Sequence, residues 1–274
     1  MVTFQEEHVK KTNVNLKNHA LIFLRLPKSG STTLATLLRN KYKEPEVFLI
    51  PQSQEKNKLY QLPLEKRAVI KYLDGHDVFG IHECLPTPSH YITLLRNPVD
   101  RIVSHYYYVL RRPDHYLHET VVANNMELEE YVASGISREL NNGQVRLLST
   151  ISCSFGNCTQ EMLEQAKNNV SRHFSAIGTL EDFDKFLLLL KKKLGWHGYP
   201  LYIRRNVTSK RPSIKSLPAS TIRTIEKYNQ LDLEMYEHVK HNFHKNYHSY
   251  CTEADLTRFQ WLNANYNRVK SIFS

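Results

Sequence analysis

Residues Leu21–Asn40 read LIFLRLPKSGSTTLATLLRN. The first six form a short apolar run that contains one Arg and ends at Pro27, a length typical of a buried strand rather than a helix. Lys28 to Thr33 follow as a turn, and leucines then recur at helical spacing at positions 34, 37 and 38. The stretch therefore predicts a strand, a tight turn and a helix.

The turn of this unit carries groups that suit a phosphate. Gly30 allows a sharp change of chain direction, and the hydroxyls of Ser31, Thr32 and Thr33 can cap the helix that follows. The first helical N–H groups, the positive end of the helix dipole and the Lys28 ammonium would then converge on one point. An ordinary capped turn with a solvated lysine explains the same residues. The triphosphate loop GxxxxGK[ST] does not match, because Lys28 precedes Gly30, so ATP and GTP are not the expected ligands.

Length and composition indicate a globular chain with a sizeable core. Of its 274 residues, 41% are hydrophobic and 23% charged, which excludes a disordered protein. We expect a polar lead-in over residues 1–18 and one domain over residues 19–274. No apolar run is long enough to span a bilayer and the lead-in has no signal-peptide core, so we expect a cytoplasmic location without a membrane segment. Removal of an upstream anchor would instead imply the Golgi lumen.

The charge balance favours an anionic partner. Lys and Arg number 37 against 27 Asp and Glu, a formal net charge of +10, which would suit a polysaccharide or a nucleic acid equally well. Cys153 and Cys158 enclose the short loop CSFGNC. Because no second Cys pair or nearby His completes a zinc set, they form either a local disulfide or two unpaired thiols.

Further strands are predicted at residues 47–50, 68–73, 90–95 and 174–178, and two of them precede candidate site residues. His76 follows the second of these in the sequence DGHD, where open α/β sheets place their ligands; a surface-loop histidine is the alternative. Arg96 closes the third, and Ser104 lies two turns into the helix that begins at Pro98. An Arg can form a two-pronged contact with a phosphate to which a helix hydroxyl also donates, although an ordinary ion pair explains Arg96 as well.

The remaining pattern is helical. Helices are predicted at about 128–133, 138–149 and 160–173. Another should be capped by Thr179 and stopped by Gly195, with the Lys191–Lys193 run as C-terminal charge rather than a nucleic-acid patch. A single long amphipathic helix is predicted from Pro218 to about Val239, and a last helix over residues 253–273.

Taken together and in order, these motifs resemble the sulfotransferases that modify carbohydrates. The motifs are PKSGSTT after the first strand, GH after a middle strand, LLRNPVDRIVSHYYY after a later one, then IGTLEDF and NVTSKRP. The resemblance covers roughly residues 21–249 and is strongest to the heparan sulfate 2-O-sulfotransferase branch. YITLLRNPVDR and NNGQVR also look like the 6-O branch. The resemblance implies a single α/β domain around a parallel sheet flanked by helices, with the P-loop-like sulfotransferase fold.

The same resemblance implies the donor and the residues that hold it. The donor would be 3′-phosphoadenosine 5′-phosphosulfate (PAPS), which leaves adenosine 3′,5′-bisphosphate (PAP). Its 5′-phosphosulfate would lie on the turn made of Lys28, Ser29, Gly30, Ser31, Thr32 and Thr33. Arg96 and Ser104 would hold the 3′-phosphate, and Lys210 and Arg211 would form a second nucleotide-contacting segment. The cysteine-bracketed loop resembles one that forms a disulfide in the 2-O enzymes.

The resemblance also implies the catalytic residues. His76 would be the base that takes a proton from a sugar hydroxyl, because an unperturbed pKa near 6.5 leaves it mostly neutral. Lys28 would stabilise the leaving phosphate. His82, six residues on, is the rival base. No metal ion is required for this chemistry, because Lys28, the helix terminus and the Arg would neutralise the charge.

The resemblance further implies a carbohydrate acceptor, possibly an anionic polysaccharide. It would be held by residues in and after the helix that begins at Pro98. These are Arg111, Arg112, His115, Arg138, Gln144 and Arg146. The loop after SHYYY is shorter and less basic than in the 2-O enzymes, which argues against heparan itself. The alternatives are a non-catalytic polyanion binder and, with less support from the motifs, a nucleotide kinase; a nucleic-acid partner is not expected.

Overall fold

The architecture is a five-stranded parallel sheet with helices on both faces. The structure, a computed structural model, describes residues 18–50, 56–76, 79–203 and 211–272. The strands are β1 (Ala20–Leu24), β2 (Val47–Ile50), β3 (Tyr72–Gly75), β4 (Ser89–Leu95) and β5 (Phe174–Thr179). Their order across the sheet is β2-β3-β1-β4-β5. The predicted α/β class with a central parallel sheet is confirmed, while the prediction of one domain over residues 19–274 stays a prediction.

Twelve helices are found in the described ranges. They are α1 (Ser31–Arg39), α2 (Lys56–Gln61), α3 (Leu64–Ala68), α4 (Pro98–Arg111), α5 (His118–Ala123), α6 (Leu128–Ala133), α7 (Gly143–Leu148), α8 (Gln160–His173), α9 (Phe183–Lys193), α10 (Ala219–Tyr228), α11 (Gln230–His248) and α12 (Glu253–Ile272). In none of these helices is an apolar stretch long enough to cross a bilayer.

Strand β1 is the middle strand of the sheet, and both of its faces are apolar and buried. Leu21 and Phe23 pack with α1 and with the leucines of α9, whereas Ile22 and Leu24 pack on the opposite face with side chains from α7, α8 and α11. A strand buried on both sides needs a continuous apolar run, which is what residues 20–24 supply. A third cluster, formed by α4, α6 and α10, lies beside the sheet.

The strand order places the carboxyl ends of β1 and β4 at a switch point. In the register of the sheet, Leu21 pairs with Tyr72 of β3 on one side and with His90 of β4 on the other. The connection after β1 leads toward β2, and the connection after β4 leads the opposite way to β5. A crevice opens where neighbouring connections diverge, and ligands of open α/β sheets bind there. The turn after β1 and the residues after β4 share this crevice.

Three predicted elements are wrong in their bounds. The strand predicted at residues 68–73 is instead Tyr72–Gly75, because the helix formers of LEKRA make α3 after Pro63. The helix predicted over 138–149 has a 3-10 turn at 138–140, and α7 begins only at Gly143, after Asn142 with φ 52°. Asn229 divides the predicted helix 218–239, since its buried amide donates to the carbonyls of Leu140 and Ile225.

Thr179 is not the helix N-cap that the sequence predicts. It ends β5, and its hydroxyl donates to Asp182 Oδ2 at 3.0 Å across a 3-10 turn, so that α9 begins at Phe183. The predicted stop is confirmed: α9 ends at Lys193 and Gly195 has φ 66°.

Candidate active site

The turn between β1 and α1 is compact and leaves the start of α1 without a capping side chain. Lys28 and Gly30 both adopt left-handed backbone angles, with φ of 64° and 71°. The Ser29 hydroxyl donates to the Leu26 carbonyl at 2.7 Å. Gly30 occupies the N-cap position, and among the described residues no side-chain cap is formed there, so the predicted hydroxyl cap from residues 31–33 is wrong. Because Gly30 has no side chain, the cap residue itself offers no acceptor to the N–H groups of the first turn.

The Lys28 ammonium lies in a partly desolvated, positively charged place. Its Nζ is 3.8 Å from the centroid of the Tyr108 ring, a cation–π contact. Burial, followed by the positive charges of Arg96, Arg111 and Arg211, lowers the pKa of Lys28 to about 8. Neighbouring cations disfavour the charged form of a lysine, and a bound anion stabilises that charged form.

Arg96 connects the end of β4 to the turn between β1 and α1. Its Nη1 donates to the Lys28 carbonyl at 2.8 Å, and its Nε donates to Asp100 Oδ2 at 2.7 Å. Arg211 also binds Asp100, at 2.5 Å through Nη1. Burial raises the pKa of Asp100, but the hydrogen bonds and charges of the two Arg outweigh it and hold the pKa below its usual range. Ser104 is buried on α4, two turns from its start.

A buried hydrogen-bond network holds the backbone of Arg96 in place. The Gln144 amide pairs with the Arg96 backbone in both directions, accepting from its N–H at 2.9 Å and donating to its carbonyl at 3.0 Å. Asp232 of α11 accepts from the N–H groups of Gln144 and Val145 and lies 3.7 Å from Arg101. Gln144, predicted to bind an acceptor, instead has both of its amide atoms occupied by Arg96.

His76 follows β3 directly and packs against the chain that leaves β1. Its Nδ1 is 2.9 Å from the carbonyl oxygen of Arg25. A carbonyl only accepts, so Nδ1 carries the proton and Nε2 is the basic nitrogen. Burial, then the charge of Arg25, lowers the pKa of His76 and keeps the ring neutral at neutral pH. Arg25 Nε also donates to the hydroxyl of Ser31 at 3.4 Å, which connects His76 to the first turn of α1.

His82 lies in a different environment. It belongs to a 3-10 turn and its Nδ1 is 2.9 Å from the Tyr91 hydroxyl. Its ring packs on His173 at 4.7 Å and on Phe79 at 5.2 Å between centroids. His173 ends α8 just before β5 begins, so this aromatic cluster lies toward the amino ends of the strands, away from the switch-point crevice.

Three of the predicted acceptor residues lie near Lys28 or the Tyr108 ring that it contacts. Arg111 Nε donates to the Tyr107 carbonyl at 3.0 Å, and Arg111 is close enough to lower the pKa of Lys28. Arg112 lies over the Tyr108 ring at 5.6 Å. His115 meets the same ring edge-on at 5.7 Å. The structure therefore brings these three predicted residues close to Lys28, and their role in acceptor binding stays a prediction.

The other predicted residues lie elsewhere. Arg138 Nη1 donates to the Ser152 hydroxyl at 3.3 Å on an exposed surface. The Arg146 guanidinium binds the carbonyls of Asn141, Cys153 and Ser154 and so braces the CSFGNC loop. The two thiols of this loop are free, as are the other two cysteines. Lys210 lies outside the described residues.

Two site residues were missed from the sequence. Asp100 stands four residues after Arg96, a helical spacing at which opposite charges pair, so RNPVD contained a signal for it. Tyr108 stands four residues after Ser104 on the same face of α4, and the HYYY run hid which tyrosine faces the turn. In the described ranges, no group of three or more His, Cys, Asp or Glu side chains is arranged to hold a metal ion.

The sequence matches the family model described as galactose-3-O-sulfotransferase over residues 11–272. It is 25% identical over 268 residues to the heparin sulfate O-sulfotransferase of Drosophila melanogaster, covering 85% of this chain and 75% of the fly protein. It is 27% identical over 197 residues to the heparan sulfate 2-O-sulfotransferase hst-2 of Caenorhabditis elegans, covering 62% of this chain and 59% of the nematode protein.

Two solved structures are similar at a low level. A mouse sulfotransferase, SULT7A1, complexed with PAP superposes with a TM-score of 0.40 and 13% identity, covering 80% of this chain and 66% of that one. A sulfotransferase from Alicyclobacillus acidocaldarius superposes with a TM-score of 0.40 and 14% identity, covering 81% of this chain and 96% of that one.

Proposed function

Since this chain belongs to the galactose-3-O-sulfotransferase family and is a carbohydrate sulfotransferase, we propose that its donor is PAPS and that His76 is its base. The observation that carries the proposal is the concentration of positive charge around Lys28. Burial together with Arg96, Arg111 and Arg211 lowers the Lys28 pKa to about 8, and an anion bound there would relieve the repulsion. The start of α1, with a glycine at its N-cap, supports a phosphate at the same point.

The residues at the switch point fit the two phosphorylated ends of the donor. Lys28, Ser29, Gly30 and the N–H groups of Ser31–Thr33 would hold the 5′-phosphosulfate. Arg96, Ser104 and Arg211 would hold the 3′-phosphate, with Lys210 as a further predicted contact. When bound, PAPS supplies a sulfuryl group attached to a phosphate leaving group.

His76 has the properties that a base needs. Its ring is neutral because burial lowers the pKa, and its Nδ1–H is held by the Arg25 carbonyl, so Nε2 can accept a proton from a sugar hydroxyl. Lys28 would stabilise the negative charge that develops on the departing phosphate oxygen. We expect its loss to lower kcat by about 10²–10³, the effect of removing one preorganised electrostatic contact.

The acceptor in this proposal is a hydroxyl of a glycan. Arg111, Arg112 and His115 lie near Lys28 or the Tyr108 ring that it contacts and are the residues we assign to acceptor binding, with Arg138 as a more distant candidate. The family description names galactose, the fly relative is named for heparin sulfate and the nematode relative for heparan sulfate. Galactosides and desulfated heparin are therefore the acceptors to screen first.

Calorimetric titration with PAP, ATP and 5′-AMP tests the donor assignment. We expect selective binding of PAP, weakened about 10-fold to 100-fold in Arg96→Ala, the range for a lost hydrogen bond to a charged group. Arg172→Ala removes an exposed Arg at the end of α8 and should change nothing. His76→Ala should retain PAP binding and lose sulfate transfer, and a strong chelator should not alter the rate.

Three outcomes would contradict the proposal. ATP binding as tight as PAP binding would favour a nucleotide kinase. Heparin binding without any nucleotide binding would favour a non-catalytic polyanion binder. Full transfer activity in His76→Ala together with its loss in His82→Ala would move the base to His82.

A further inference from the structure

An exposed aromatic ring lies at the end of a continuous path of contacts from Lys28 to the surface. Lys28 Nζ lies over Tyr108 at 3.8 Å, His115 meets Tyr108 at 5.7 Å, and Tyr116 stacks on His115 with 4.8 Å between centroids and 28° between planes. Tyr116 is 66% exposed. One face of its ring is covered by His115, so the exposed area belongs to the rest of the ring.

The structure holds this ring in place. The Tyr116 hydroxyl shares a 3.0 Å hydrogen bond with the buried hydroxyl of Ser137. The next residue, Leu117, is buried in the cluster beside the sheet. His118 Nδ1 is 2.8 Å from the Val109 carbonyl, which ties the turn back to the end of α4. A tyrosine fixed at its hydroxyl and its backbone loses little conformational entropy when a ligand covers it.

A pyranose ring suits such a surface. One side of the sugar consists of C–H groups that pack on an aromatic face, and its rim of hydroxyls needs both donors and acceptors. The exposed pair of Arg112 and Asp114, joined by hydrogen bonds of 2.8 and 2.6 Å, supplies both kinds of group beside Tyr108. A single ring is far too small for a protein interface, which buries about 800 Å² on each partner.

We infer that Tyr116 forms a second sugar subsite, which binds a unit of the acceptor glycan next to the unit that receives the sulfate. The inference rests on the proposed function, because it places the reacting sugar at Lys28 and His76. Tyr116 is separated from Lys28 by two intervening rings, so it would contact a neighbouring unit and not the reacting one. The enzyme would then prefer an oligosaccharide to the matching monosaccharide.

The test compares kcat/KM for short and long acceptors of the same kind. Methyl β-galactoside is set against lactose, and a desulfated heparin disaccharide against a hexasaccharide. We expect Tyr116→Ala to lower kcat/KM for the longer acceptor of the active pair by about threefold to tenfold, the usual value of one aromatic contact. The shorter acceptor and PAP affinity should be unchanged, and Tyr116→Trp should restore most of the loss.

Tyr250 provides the matched control, because it is exposed and lies near the amino end of β5. Lys193 lies over its ring at 5.3 Å and donates to the Ser175 carbonyl near the start of β5. Tyr250→Ala should leave both acceptors unaffected.

The results separate the two proposals. Failure of the wild-type protein to bind PAP would refute the proposed function itself. If PAP binds, the subsite is refuted by equal losses for the short and long acceptors in Tyr116→Ala, by no loss, or by no preference for length in the wild type. Absence of transfer to all four sugars while PAP binds would refute it as well.

Discussion

Gly30, in the turn between β1 and α1, has little room for an added methyl group. Its φ of 71° lies in the left-handed region, and a Cβ there would overlap Leu180 Cδ1 just after β5. For a residue with a side chain, this left-handed backbone conformation costs about 1–2 kcal/mol. To make room, the half-buried Leu180 side chain must rotate away from its preferred rotamer, which costs about 0.5–1.5 kcal/mol. Gly30→Ala should therefore lower the free energy of unfolding by about 1.5–3.5 kcal/mol.

Gly156 separates the two contributions. Its φ is 82°, close to that of Gly30, but no heavy atom of the described residues lies within 4 Å of its Cβ position. Gly156→Ala should cost only the backbone term of about 1–2 kcal/mol. In the double variant Gly30→Ala/Leu180→Ala the overlap disappears, so the two substitutions should couple favourably by about 0.5–1.5 kcal/mol.

Equilibrium unfolding in urea measures these differences by linear extrapolation. PAP titration of the same variants reports whether the turn itself has shifted, since Gly30 lies between Lys28 and the first helical N–H groups. A Gly30→Ala variant as stable as Gly156→Ala, to within about 0.5 kcal/mol, would refute the steric reasoning. Independent effects of Gly30→Ala and Leu180→Ala would refute it too.

Two further predictions concern pH. In the described part of the chain, neither ring nitrogen of His90 has a hydrogen-bond partner, and burial, followed by His19 and Lys193, lowers its pKa to about 4. The unfolded chain, with a pKa near 6.5, therefore takes up the proton first as the pH falls. The free energy of unfolding should decrease by about 3 kcal/mol between pH 6.5 and pH 4 in urea titrations; an equally steep decrease in His90→Leu would contradict this. PAP affinity should be constant between about pH 7 and 8, where the PAP phosphates, with a second pKa near 6, stay fully charged. It should fall by up to about tenfold per pH unit above pH 8, because the Lys28 ammonium with a pKa of about 8 loses its charge there. Calorimetry of Lys28→Met should show no such decrease, and a wild-type affinity that is flat through this range would rule out Lys28 as a titrating contact.

Local patterns predicted the elements that depend on near neighbours. The apolar run after Asn18 became β1 because a strand buried on both faces needs every residue to be apolar. Asn97-Pro98, with Asp100 in the first turn, predicted the start of α4, and the Asn97 side chain does accept from the Asp100 N–H. The failures depend on partners distant in sequence. The divided helix at Asn229 is an example, because its amide binds the carbonyl of Leu140, almost ninety residues earlier.

By itself, the sequence determined the α/β class, the order of the motifs and the chemical character of the residues at the strand ends. These follow from periodicity and from glycine, proline and charge at fixed short spacings. Only the tertiary structure decided which of those residues meet. Parallel pairing of β1 with β4 placed the Arg96 guanidinium on the Lys28 carbonyl, and the return of α11 to the sheet gave Gln144 to Arg96 instead of an acceptor. The crossover after β3 placed His76 on the Arg25 carbonyl and His82 in an aromatic cluster. Their surroundings differ because His76 lies at the carboxyl end of β3, whereas His82 lies near the amino ends of β4 and β5.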